Sequence, residues 1–145
     1  MKNDIPFIIK GEKYIDDRGE LNFFNDFDMS LIKRVYFTTH YKKNIVRAWQ
    51  GHKIESRWFC CVNGSFIVKL IEIDNWDSPS NDLKVFEYKL TTNKQEILYI
   101  PNSYLNGFKA LSEDSKLMIM SNYGFNEIQN DQVRFNQNKW TKWDN

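Results

Sequence analysis

About ten short runs rich in β-branched and aromatic residues follow one another along the chain, separated by Gly, Pro, Asn, Asp and Ser signals. They are Pro6 to Lys10, Leu21 to Phe24, Lys33 to Thr39, Ile45 to Trp49, Arg57 to Val62, Ser65 to Ile73, Leu83 to Leu90, Ile97 to Ile100, Gly107 to Leu111 and Lys116 to Asn122. Many short strands at such spacing predict an all-β sandwich or barrel. Composition agrees, since aromatics make up 16% of the residues and Ala is scarce, which suits strands more than helices. Asn63-Gly64, between two of the runs, is the strongest hairpin signal, because a type I′ turn places both central residues at positive φ. Leu83 to Leu90 alternates imperfectly, so both of its faces are expected to be partly covered.

A chain of 145 residues suits one domain, here 1–145, with a core that needs neither disulfides nor metals. No repeat, linker or low-complexity tract interrupts the first 125 residues. From about residue 126 the chain is rich in Asn, Gln, Asp and Lys yet carries Phe135, Trp140 and Trp143, which predicts an irregular tail pinned by its aromatics. A net charge of +1 gives no long-range field for nucleic acid or an acidic membrane, so the expected partner is small. The amino terminus lacks the pattern of a signal peptide and no apolar run reaches spanning length, so a cytoplasmic protein is expected. Cys60 and Cys61 are adjacent and point to opposite faces of a strand, which predicts reduced, partly buried thiols.

Most of the candidate chemistry lies between Arg47 and Ser65. Arg47-Ala48-Trp49-Gln50-Gly51-His52-Lys53 brings two cations, an imidazole, an indole and an amide together beside an apolar strand. The bland reading makes His52 a cavity histidine that only hydrogen-bonds, Arg47 and Arg57 ion-paired strand residues near Glu55 or Glu72, and Trp49 and Trp58 packing residues. His40, beside Tyr41 and two lysines, is expected in a loop without a role.

The succession Arg18-Gly19, Ile32-Lys33-Arg34-Val35-Tyr36, Arg47 to Lys53, Gly64-Ser65 and Ile100-Pro101-Asn102-Ser103-Tyr104-Leu105-Asn106-Gly107-Phe108 resembles the cupin family of nucleotide-sugar epimerases and ketoisomerases. The resemblance runs from about residue 15 to 135. It touches both the dTDP-4-dehydrorhamnose 3,5-epimerases and the dTDP-sugar 3,4-ketoisomerases. It implies a cupin jelly-roll barrel, a homodimer and a cavity for a nucleotide-diphosphate sugar used in surface polysaccharide biosynthesis, and Gln50 and Asn106, standing where metal-binding cupins carry imidazoles, argue for no cofactor.

Removing a proton beside a ketone needs a base on that proton and a cation or donor on the oxygen where charge develops. Diphosphate is best held by the fork of arginine. The resemblance makes His52 the proton carrier, Arg57 and Lys53 the enolate stabilisers, and Arg47 and Arg18 the holders of phosphate or sugar oxygens. Gln50 and Asn106, which stand where relatives carry histidines, orient the ring. Glu72 matches a strand carboxylate, and Tyr36 and Tyr123 are candidate acids. The family's acid position falls without gaps on Gly124 or Phe125, beside Tyr123. No metal is expected, because His52 and Glu55 alone cannot close a first shell. Two readings follow: an epimerase or isomerase of a nucleotide-linked 4-keto-6-deoxy sugar, or a sugar-nucleotide-binding cupin that lost catalysis when Gln50 replaced the base.

Overall fold

The structure is a computed structural model that describes residues 4–144. Its strands are β1 (Phe7–Lys10), β2 (Glu12–Asp16), β3 (Gly19–Phe23), β4 (Arg34–His40), β5 (Val46–His52) and β6 (Arg57–Asn63). They continue with β7 (Ser65–Glu72), β8 (Phe86–Thr91), β9 (Glu96–Ile100), β10 (Tyr104–Ala110), β11 (Ser115–Ser121) and β12 (Gln132–Arg134). Two five-stranded antiparallel sheets, ordered β1-β9-β6-β11-β4 and β12-β5-β10-β7-β8, form the body, with β2-β3 as a separate hairpin.

Side-chain alternation explains why two sheets close on one core. On β6, Phe59 and Cys61 point inward to meet Phe66, Val68 and Leu70 of β7 and Phe108 of β10. Trp58 and Cys60 point outward, where Ile9, Phe24, Phe27 and Ile32 cover them. Each fully buried Phe or Leu in the inner cluster contributes about 1.5–3 kcal/mol. The two thiols do face opposite ways, and burial pushes Cys60 up to about 11 and Cys61 up to about 12, so both stay protonated at neutral pH.

The second sheet is also covered on its outer face. Trp49 is fully buried there with Ile71, Leu105 and Trp143. Trp143 and Trp140 pack on it with ring centroids 5.6 and 6.0 Å away, and Trp49 Nε1 donates to the Lys139 carbonyl at 2.9 Å. The aromatics thus pin the tail. It is not wholly irregular, however: Gln132, Val133 and Arg134 pair with His52, Gly51 and Gln50 as a sheet edge.

Several expectations about local structure are corrected. Asn63-Gly64 joins β6 of one sheet to β7 of the other and is therefore a corner between sheets, not a hairpin. Gly64 alone takes positive φ, at 71°, and a Cβ on it would collide with Ser115 Oγ and lie 2.6 Å from Ser112 Oγ. The run from Leu83 enters the sheet only at Phe86, while Leu83 and Val85 pack beforehand against the outer cluster. β2 was invisible because Glu12-Lys13-Tyr14-Ile15-Asp16 is largely exposed and carries no core face. His40 is no loop residue: it closes β4 and is 1% exposed.

Candidate active site

At one end of the barrel the inner faces turn polar. β5 supplies Arg47, Gln50 and His52, β6 supplies Arg57, β4 supplies Tyr36, and β10 supplies Asn106. The intervening Gly51 faces outward against Leu105 and Trp76, and a Cβ there would sit 2.5 Å from Leu105 Cδ2. Two adjoining cavities result. One, of about 590 Å³, is walled by His52, Glu55 and Asp131, and the other, of about 300 Å³, by Arg47, Gln50 and Asn106. Tyr36, Arg57 and Gln132 belong to both walls.

His52 is 5% exposed, and among the described residues neither ring nitrogen has a hydrogen-bond partner. Its Nδ1 lies 3.6 Å from Asp131 Oδ2 and 3.9 Å from Glu55 Oε1. These carboxylates can receive an Nδ1 proton after a small closure, which leaves Nε2 as the basic atom. Burial first, then the Arg57 charge, pushes His52 down to about 4, against the opposing pull of Glu55 and Asp131. Burial alone would raise the Glu55 carboxyl, but the Ser121 hydroxyl, Arg57 and His52 together hold it below its ordinary value. His52 is therefore neutral and Glu55 ionised at pH 7.

This arrangement gives the fold a pH dependence. His52 takes a proton near its ordinary value of 6.5 when unfolded but only near 4 when folded, so the unfolded state binds more protons between those limits. Stability should be complete above pH 6.5 and fall as the pH drops toward 4, by roughly 3 kcal/mol in all. Urea midpoints of the wild type and His52→Gln across that range test this: the glutamine variant should lose less.

The loop after β5 is shaped by the tail. Asp131 accepts the backbone N–H of Ile54 at 2.7 Å and of Glu55 at 3.1 Å, and its carbonyl accepts Lys53 N–H at 3.2 Å. Glu55 Oε2 in turn accepts Arg57 Nε at 2.8 Å and Arg34 at 3.5 Å. Arg57 Nη1 donates to the Tyr36 hydroxyl, and the guanidinium carbons of Arg34 and Arg57 lie 5.0 and 5.5 Å from the Tyr36 ring. Gln50 Nε2 donates to Asn106 Oδ1 at 2.6 Å.

A family model described as "FdtA: WxcM-like, C-terminal" matches residues 4–140. The chain belongs to the WxcM-like, C-terminal family. No curated protein matches it. The QdtA 3,4-ketoisomerase of Thermoanaerobacterium thermosaccharolyticum, a double mutant solved in complex with TDP, is 26% identical, with 90% of this chain and 87% of that one covered and a TM-score of 0.65. A dTDP sugar isomerase of Desulfovibrio desulfuricans superposes with a TM-score of 0.76 at 17% identity, over 95% of this chain and 90% of its own. A dTDP-4-dehydrorhamnose 3,5-epimerase of Bacillus anthracis, with TDP and PPi bound, gives 0.76 at 11% identity over 92% and 79%. The all-β cupin barrel is thereby shown, and its structural neighbours are dTDP-sugar isomerases and epimerases.

In this WxcM-like chain, Tyr36, Arg47, Gln50, His52, Arg57 and Asn106 converge on the paired cavities. Four other candidates lie outside both walls. Arg18 is 84% exposed on the β2–β3 turn and ion-paired to Asp16 at 2.5 Å. Lys53 is exposed with its ammonium 6.0 Å from the Trp76 ring centre. Glu72 ends β7 opposite Tyr104 and contributes, after burial, to raising that phenol above its ordinary value. Tyr123 is half-buried beneath Lys33, and Gly124 and Phe125 line the larger cavity in its place.

Asp131, Gln132 and Arg134 line the cavities although no motif announced them, and Arg34, which lies within the Ile32-to-Tyr36 motif without having been given a role, lines the larger one. Asp131 also corrects the ligand count for a metal. His52, Glu55 and Asp131 offer donor atoms within 4.8 Å of one another. Arg34 and Arg57 already hold Glu55, so a dication there would face two guanidinium charges.

Proposed function

We propose that this protein is a 3,4-ketoisomerase of a nucleotide-diphosphate-linked 4-keto-6-deoxy sugar, with His52 as the sole carrier of the proton that moves between ring carbons. The observation that carries the reading is one neutral imidazole, backed by two carboxylates, in a cavity it shares with Arg57 and Tyr36. Inverting a ring carbon requires a base on one face and an acid on the other. Moving a carbonyl to its neighbour requires less. His52 Nε2 takes the proton from C3, the C3–C4 double bond forms, and the electron pair moves onto O4, facing Arg57 and Tyr36. The O3 proton then leaves for O4 by way of the Tyr36 hydroxyl or solvent, C3 becomes the carbonyl, and C4 recovers a proton from His52. Protons and electrons balance without an oxidant.

Gln50 and Asn106 supply amide groups for sugar hydroxyls, and Arg47 and Arg134 supply forked donors for diphosphate. The same reading expects a homodimer that covers the β4 edge, where Val35 and Phe37 are 52% and 55% exposed. A monomer in sedimentation equilibrium would exclude that pairing.

The test is incubation in deuterium oxide with dTDP- and UDP-linked 4-keto-6-deoxy sugars, read by proton NMR of the ring. Ketoisomerisation puts deuterium at C3 or C4 and yields the 3-keto product, with none at C5. The Gln50–Asn106 pair, standing where the resemblance places histidines, favours a second reading: a cavity that binds the nucleotide sugar without turning it over. Ligand line broadening with no exchange at any carbon would establish it. Gln50→His separates a third outcome. In the ketoisomerase it should leave C3 exchange in place and add none at C5, whereas new C5 exchange would reveal a dormant epimerase.

A further inference from the structure

Neither the motifs nor the proton-transfer scheme uses the second histidine. His40 is 1% exposed at the end of β4, with its ring stacked on Phe108 of β10 at 5.5 Å and against the edge of Phe66 of β7 at 5.4 Å. Its Nδ1 lies 3.1 Å from the Ile45 carbonyl, which only accepts, so Nδ1 carries the proton. Its Nε2 receives Arg47 Nε at 3.2 Å, and a guanidinium only donates, so Nε2 must present a lone pair. The two contacts together require one tautomer of a neutral imidazole.

Arg47 is otherwise a free-standing cation of the smaller cavity: among the described residues no carboxylate pairs with it. We infer that His40 is a positioning residue, a neutral acceptor that grips Arg47 Nε and so presents Arg47 Nη1 and Nη2 to the diphosphate of the ligand. The inference rests on the proposed nucleotide-sugar reading of the cavity. Protonation of His40 turns Nε2 into a donor facing a cationic donor, and the grip is lost. Of the groups packed on His40, Phe66 and Phe108 carry no charge, its cross-strand partner Ser115 on β11 is neutral, and Arg47 on β5 is the facing cation. Burial first, and Arg47 as well, hold His40 below its ordinary value while the Ile45 carbonyl opposes them, so the neutral form prevails at pH 7.

Calorimetric titration with dTDP tests this on the wild type, His40→Leu, His40→Gln, Arg47→Ala and the His40→Leu/Arg47→Ala double variant. Freeing one long side chain weakens binding by about 3–10-fold, the loss expected for His40→Leu. His40→Gln keeps a donor and an acceptor and should recover most of it. In the Arg47→Ala background His40→Leu should cost nothing more. Wild-type affinity in His40→Leu, or an equal loss in both backgrounds, overturns the inference while the nucleotide reading stands. NMR of the wild type gives an arm free of variants and ligand. The Arg47 Nε–H signal should be protected while His40 is neutral and lose that protection as the imidazole protonates; a signal indifferent to that titration overturns the inference. A wild type that binds neither dTDP nor, in the same titration, UDP overturns the proposed function instead, and the Arg47 signal then decides the His40–Arg47 contact on its own.

Discussion

His52→Ala should abolish deuterium exchange into the sugar while dTDP affinity stays within a few-fold of wild type. General-base catalysis is worth about 10²–10⁴-fold, and the upper end is expected where one group both removes and returns the proton. Asp131 and Glu55 stand on the Nδ1 side, and Asp131 is itself fixed by two backbone N–H groups, so the ring has a stiff support. Because protonation silences a base, kcat/KM should rise with pH through about 4 and be flat by neutrality, in place of an inflection near 6.5. Asp131→Asn removes a charge that favours the imidazolium, so the loss should appear mainly in kcat, with little change in nucleotide affinity. Exchange at wild-type rate in His52→Ala would sink the assignment.

Much of the fold could be read from the sequence because a strand that packs on one side writes its burial into alternate residues. Phe59 and Cys61 against Trp58 and Cys60 is such a record, and the same parity delivers Arg57 to the cavity. Sheet membership left no such record. Asn63-Gly64 signals a sharp change of direction, but whether the next strand pairs with the last or crosses to the other sheet depends on contacts made much later in the chain. Parity also explains two candidates. Lys53 follows His52 as the strand ends and points away from the cavity, and Arg18 sits on a hairpin whose exposed faces carry no core.

Asp131 shows the opposite limit. It lies in a stretch of Asn, Gln and Asp whose composition reads as solvated, 79 positions from the histidine it supports, and nothing local distinguishes it. What could have hinted at it is the tryptophan content of the tail. Trp140 and Trp143 imply that the tail is packed, and a packed tail must seat its polar residues against something. Most of the candidates that line the cavities are thus read from motifs, whereas Asp131, Gln132 and Arg134 come from where the chain returns.

Arg57→Met should lower stability by about 3–5 kcal/mol and remove activity as well, because it strands a buried charge at the reacting end of the barrel. Arg57 is 9% exposed and gives Glu55 its closest cationic contact, at 2.8 Å, whereas Arg34 reaches the same oxygen only at 3.5 Å. Without Arg57 the carboxylate is left largely uncompensated, and the Tyr36 hydroxyl loses the donor that fixes it. His52 also loses the charge that most opposes its protonation, so the acid limb of any residual activity should move upward from about 4. A second change separates the two losses. Glu55→Gln in the Arg57→Met background removes the stranded charge, so the urea midpoint should recover substantially while exchange at C3 stays lost. If the double variant is no more stable than Arg57→Met alone, Arg57 and Glu55 are not an energetic unit. Recovery of exchange along with stability would show that Arg57 serves the fold and not the enolate.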